Sequence, residues 1–336
     1  MSLWRISGRS WLLSMIGAAL VAYAPAGEAT TVRLLTVGNS FAYNATKFLP
    51  DLAKAAGDSL VMDHANYSGC SLEKHWAAAQ AAEEADSGGA IYPPREPAGP
   101  RRTLREILQS GTWDVVTIQQ ASRLSDEPST YEPFAQLLRD YINLHAPGAE
   151  IVFHETWAYR ADDDKFAKGG NPAEMHRAVR EAYRLAASRL GLRVIPVGSA
   201  FHLASSRAEW TYVPDPAFDR NSVKFPEEPP QPGSLHKGWS WIKKADGSWT
   251  FWLDSTHANI FGSYLGSCVF FESLFGKSPV GNSFVPEGIS PAQARSLQEI
   301  AHEAVSLHNS KSAPRGIIYK RTSDDAKYDS FTCPLG

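Results

Sequence analysis

Short apolar runs rich in β-branched residues recur along this chain, each followed by a segment with helical periodicity. The runs are Thr31–Val37, Ser59–Asn66, Trp113–Gln119, Ala149–His154 and Leu192–Val197. Helical patterns follow near Thr46–Ala56, Leu72–Ala85, Tyr131–Leu144 and Met175–Leu190, with a shorter one at Thr103–Gln109. Apolar residues alternating at a period of two or clustering in short blocks read as strands, and apolar residues at three- and four-residue spacing read as helices. Strands that alternate with helices build a parallel sheet covered on both faces. The fold class predicted is therefore α/β, a three-layer sandwich around a parallel sheet. Right-handed crossovers place every strand's C-terminal end on one side of such a sheet, and ligands bind there. Ser40, Gly69, Gln119, Gln120 and His154 all fall at expected strand ends.

Two segments depart from the alternation. Residues 205–253 hold Trp210, Trp239, Trp241, Trp249 and Trp252, half of the chain's ten tryptophans. Trp239–Lys243 and Ser248–Leu253 flank Asp246-Gly247, a strong hairpin signal. This stretch reads as a β-hairpin insertion that delivers the chain to Asp254-Ser255-Thr256-His257, a polar turn ahead of a long helix over Ala258–Phe275. The other departure is the N-terminus. Arg5 and Arg9 precede an apolar run, Trp11–Tyr23, and small-x-Ala patterns follow at Ala24-Pro25-Ala26 and Gly27-Glu28-Ala29. That is the pattern of a secretory signal peptide over residues 1–29, too short for a spanning helix of about 20 residues. Export to the periplasm or beyond is expected, without a stable membrane anchor. One domain then spans residues 30–310, its last helix running from Pro291 to about His308, and a polar tail occupies 311–336.

Composition narrows the functional classes. A formal net charge of −3 with no basic stripe excludes the usual nucleic-acid footprint. No Cys/His spacing suits a zinc site. Cys70, Cys268 and Cys333 allow at most one disulfide, and buried free thiols suit the same residues equally well.

A nucleophilic serine needs a base within hydrogen-bond reach, and the base needs an acceptor on its other nitrogen. Asp254 and His257, three residues apart, can offer both groups. Taken alone, each feature has a plainer reading: Ser40 as a helix N-cap, Asp254 as another. Together, G-N-S-F at residues 38–41, S-G-C-S-L at 68–72 and D-S-T-H at 254–257 occur in one order on one α/β pattern.

This arrangement resembles the SGNH (GDSL-like) hydrolase superfamily over roughly residues 31–308. It is most similar to a bacterial branch with a G-N-S-F/Y first block, a Gln-rich third block (Ile118-Gln119-Gln120-Ala121-Ser122) and a Thr156-Trp157-Ala158-Tyr159 segment. The resemblance implies a flavodoxin-like sheet, with Ser40 as nucleophile and Asp254 and His257 completing a triad. It implies an oxyanion hole from the Ser40 and Gly69 N–H groups. The superfamily's third donor is an Asn in a G-x-N block that this chain lacks; the amide of Gln119 or Gln120 is the expected substitute. Asn39, Trp157 and Trp252 are candidate substrate contacts, since aromatic faces bind sugar rings. The expected function is a serine esterase acting on a small-molecule or glycan ester, O-acetyl groups on carbohydrates above all, with no cofactor or metal. A lipase-like or thioester acyl hydrolase and a non-catalytic carbohydrate-binding protein on the same scaffold are the alternatives.

Overall fold

The structure is a computed structural model that describes Met1, residues 29–85 and residues 88–312. The expected signal peptide and the tail beyond residue 312 therefore lie outside the described residues, apart from Met1 and Ala29.

A five-stranded parallel sheet forms the centre, in the order β2-β1-β3-β4-β5. Its strands are β1 (Thr31–Gly38), β2 (Ser59–Asn66), β3 (Val115–Ile118), β4 (Glu150–His154) and β5 (Arg193–Ile195). This is the flavodoxin-like order, with its topological switch between β1 and β3. β1 sits next to centre, paired with β2 and β3, and Leu34, Leu35, Thr36 and Val37 are all buried. A strand covered on both faces needs an unbroken apolar run, and Leu-Leu-Thr-Val supplies it. β3 is likewise buried at all its positions.

Helices flank the sheet. On one side pack α3 (Leu72–Glu84), α4 (Leu104–Gln109) and α5 (Phe134–His145). On the other pack α1 (Ser40–Ala45), α2 (Leu49–Ala55), α7 (Val197–Ala204), α8 (Ile260–Phe275) and α9 (Pro291–Ser312). Helix α6 (Pro172–Leu190) precedes the edge strand β5 and ends at Gly191 in the left-handed conformation. The single helix expected over Thr46–Ala56 is two. Thr46 closes α1, its hydroxyl donating to Ala42 O, and Pro50 sits in the first turn of α2, where its missing N–H costs nothing. Helix α7 has no counterpart in the sequence reading; its eight residues span barely two turns, too few for a helical period to stand out.

The hairpin forms a separate two-stranded sheet from β6 (His236–Lys243) and β7 (Trp249–Ala258). Trp239 and Trp241 each pack on Phe251 there, with Trp239 and Phe251 stacked at 5.2 Å. The strands run further than Asp246-Gly247 and its neighbours suggest. Asp254 and His257 lie on β7 itself, not in a turn beyond it.

One buried acid carries a consequence for stability. Glu155, at the end of β4, is fully buried, and burial pushes its carboxyl up to about 7 against the hydrogen bond from Ser199 Oγ. A raised carboxyl contributes stability below the unfolded-state value of about 4.3 and loses it as pH rises through the folded value. Urea midpoints should therefore fall between about pH 4.5 and 7 on this account, and Glu155→Gln should flatten that part of the profile. An unchanged profile would remove Glu155 as its source.

Candidate active site

Ser40 begins α1, immediately after β1, at the switch point. It is not the helix cap. Asn39 is, its side-chain oxygen accepting from Phe41 N at 3.0 Å. Asn39 is also one link of a polar rail across four adjacent strand ends. His154 Nδ1 donates to Gln119 Oε1 (2.9 Å), Gln119 Nε2 donates to Asn39 Oδ1 (2.8 Å), and Asn39 Nδ2 donates to Cys70 O (3.0 Å). The four residues come from the ends of β4, β3, β1 and β2, in the sheet's own order. The lack of a Cβ at Gly38 makes the rail possible: a methyl there would lie 2.7 Å from Gln119 Oε1. Tyr67 N donates to Gly38 O at 3.0 Å, so the turn at Gly69 is fastened to the strand that carries Ser40. Gly69 itself has φ of +60°, a conformation that favours glycine.

The hydrogen bonds at these strand ends correct two expectations, for Gln120 and Asn39. Gln119 is buried and one of its two amide N–H groups is spent on Asn39. Gln120 is buried too; its Nε2 donates to Thr130 O and Oγ1, and its Oε1 accepts from Leu72 N and Ala121 N. Both N–H groups of the Gln120 amide are thus taken, whereas the Gln119 amide carries a second N–H beyond the one given to Asn39. Asn39, 2 % exposed, is a structural cap and brace and not a substrate contact. Asn39→Ala removes the cap and strands the Gln119 amide, so it should cost at least about 2 kcal/mol in chemical unfolding. A cost within a few tenths would show the rail to be dispensable.

His257 Nε2 lies 2.8 Å from Ser40 Oγ, and His257 Nδ1 lies 2.9 Å from each oxygen of Asp254. A carboxylate only accepts, so Nδ1 carries the proton and Nε2 is left to accept from the Ser40 hydroxyl. Burial acts to raise the Asp254 carboxyl, but the hydrogen bonds from the His257 side chain and backbone N–H outweigh it and hold it well below the usual carboxylate range. Lys237 Nζ, 3.6 Å from Asp254 Oδ2, acts in the same direction.

Residues three apart on a flat strand point to opposite faces. A bulge removes that obstacle. His236 pairs with Ala258 and Gly238 with Asp254, so a step of two residues on β6 matches a step of four on β7. The surplus turns His257 back onto Asp254. Three contacts hold the bulge in shape: Arg160 N donates to Ser255 O (2.9 Å), Trp157 Nε1 to Thr256 O (2.9 Å), and Ala258 N to Asn44 Oδ1 of α1 (3.2 Å).

Trp157 is wholly buried, stacked between Phe41 at 4.2 Å and Phe201 at 4.5 Å, so it is not a substrate platform. Trp252 differs. It is 58 % exposed, and being two residues from Asp254 it shares that residue's face of the hairpin. His75 is buried and satisfied, donating from Nε2 to Gly38 O and accepting from Tyr92 at Nδ1; burial lowers it to about 4. Cys70 and Cys268 are buried free thiols, and burial pushes Cys70 up to about 12; Cys333 lies outside the described residues. Among the described residues no cluster of three or more His, Cys, Asp or Glu could hold a metal, and no helix is long and apolar enough to cross a membrane.

Residues 33–208, over half of the chain, match the family described as a domain of unknown function, DUF4886. The chain belongs to the DUF4886 family. The match includes Ser40, Gly69 and Trp157 and stops short of Asp254 and His257. A crystal structure of a DUF4886 protein from Bacteroides uniformis is similar over 82 % of this chain and 95 % of that one, with a TM-score of 0.63 and 23 % identity. That likeness extends the shared fold well past the family's matched segment. A candidate SGNH hydrolase from Slackia heliotrinireducens is 20 % identical over 72 % of this chain and 98 % of its own, TM-score 0.44. A lipase/acylhydrolase from Enterococcus faecalis is 11 % identical over 73 % and 96 %, TM-score 0.38. No curated protein matches the chain. The chain has the parallel sheet and flanking helices that the SGNH resemblance implies, and the antiparallel hairpin read from the segment around Asp246-Gly247.

Proposed function

We propose that the protein is an exported serine esterase that cleaves carboxylic esters, with O-acetyl groups on carbohydrates as its substrates. One observation carries the reading: the continuous chain from Ser40 Oγ through His257 to Asp254, with contacts of 2.8 and 2.9 Å. A serine hydroxyl in that setting is an activated nucleophile.

Ser40 Oγ attacks the ester carbonyl carbon while its proton passes to His257 Nε2. Asp254 stabilises the imidazolium without taking a proton. Charge gathers on the former carbonyl oxygen, for which the Ser40 N–H, at a helix start and without an intrahelical partner, and the Gly69 N–H are the donors. The tetrahedral intermediate collapses, the C–O bond to the alcohol breaks, and His257 returns the proton to the departing alkoxide. Water then attacks acyl-Ser40 by the same route in reverse and releases the acid.

The carbohydrate part of the reading rests on Trp252, an exposed ring on the hairpin face that also carries Asp254. An indole face offers a flat apolar surface to the C–H side of a sugar. The export part rests on the charge and apolar pattern of residues 1–29. Hydrolysis of p-nitrophenyl acetate, compared with longer acyl esters, tests the esterase reading, and acetyl release from a panel of acetylated glycans tests the substrate. Trp252→Ala should raise KM for an acetylated glycan about tenfold more than for p-nitrophenyl acetate. Activity that climbs with acyl length and ignores glycans would favour a lipase-like enzyme. No turnover, with Ser40 inert to a fluorophosphonate probe, would overturn the catalytic reading.

A further inference from the structure

Arg123 stands just past the Gln-rich segment, at the C-terminal end of β3, and is exposed. Its Nη1 donates to Gly69 O at 3.3 Å, and a Cβ on Gly69 would lie 3.5 Å from the same nitrogen. The guanidinium thus rests against the residue whose N–H faces the reacting carbonyl in the esterase reading. It has no carboxylate partner among the described residues. Its neighbour Asp126 is taken by Lys165 at 2.6 Å. One bond to a carbonyl leaves most of its five N–H donors open. Two further cations stand beside residues of the same strand ends and hairpin. Lys74 Nζ lies over the Tyr67 ring at 4.5 Å, on the same turn as Gly69, and Lys237 lies beside Asp254.

An unpaired arginine fixed by one end at a site rim is built to meet a planar anion, since its fork matches a carboxylate in two places. We propose that Arg123 forms an anion subsite beside Ser40, and that the preferred ester carries a carboxylate close to the scissile bond. The proposal rests on the esterase reading and deepens it by naming a substrate charge.

The test compares two esters with the same acyl group and the same ring, 4-acetoxybenzoate and its methyl ester. The native enzyme should show the higher kcat/KM for the carboxylate. That preference should shrink about tenfold in Arg123→Gln, the effect of losing one charge-assisted contact, and recover in part in Arg123→Lys. It should also shrink as salt is raised. A native enzyme indifferent to the carboxylate, or an Arg123→Gln variant that keeps the preference, overturns the proposal. So does an equal fall in kcat on both esters, which would place Arg123 at the developing oxyanion. Fluorophosphonate labelling of Ser40 keeps the two readings apart: a labelled enzyme without carboxylate preference loses only the subsite, whereas an inert serine loses the esterase as well.

Discussion

Ser40→Ala should lower turnover of p-nitrophenyl acetate by roughly 10⁴-fold or more, with an unfolding midpoint close to that of the native protein. Removing the nucleophile of such a triad leaves only binding and oxyanion stabilisation, which explains the size of the loss. The small change in stability follows from the structure and not from the sequence. A serine at a helix start usually caps it, and losing a cap costs about 1 kcal/mol. Here Asn39 caps α1 and Ser40 is spent on His257. A variant that loses stability and keeps turnover would return Ser40 to the role of a cap. Asp254→Asn should match the kinetic loss to within about tenfold, because an amide leaves the imidazole in the wrong tautomer.

Trp157 should give the second-largest effect. Its ring separates Phe41 from Phe201, and its N–H holds Thr256 O, so one side chain braces the residue after Ser40 and the residue before His257. Trp157→Ala should cost about 3–5 kcal/mol, the usual loss for a large buried aromatic. Trp157→Phe is the sharper variant. It keeps most of the stack and removes only the hydrogen bond, leaving a buried carbonyl unpaired and the bulge free to shift. A misplacement of about 1 Å can cost about 100-fold in rate, so kcat should fall at least about tenfold with KM little changed. A loss of stability with kcat intact would make Trp157 a packing residue only.

The split between what could be read early and what could not follows the range of the interactions. The parallel sheet was legible because period and apolar runs are local: Leu34 to Val37 and Val115 to Ile118 announce strands buried on both faces. The places of Ser40 and Gly69 followed from strand ends. The direction of side chains at those ends did not. Gln119 and Gln120 suit an amide donor equally well by type, yet Thr130 takes both N–H groups of Gln120 while Asn39 takes one of Gln119's. Trp157 and Trp252 are the same residue type in aromatic surroundings, yet one is sealed in the core and the other faces solvent.

The opening pattern of strand and helix, taken alone, determined the fold class and the side of the sheet where a site would form; Ser40, Asp254 and His257 were singled out by their motifs and by the resemblance that those motifs carry. The tertiary structure alone decided how they meet. It did so by pairing Gly238 with Asp254 and His236 with Ala258, which forces surplus residues of β7 into a bulge and folds His257 back onto Asp254. A mismatch in length between two paired strands depends on both strands at once, and no window of one sequence segment contains it.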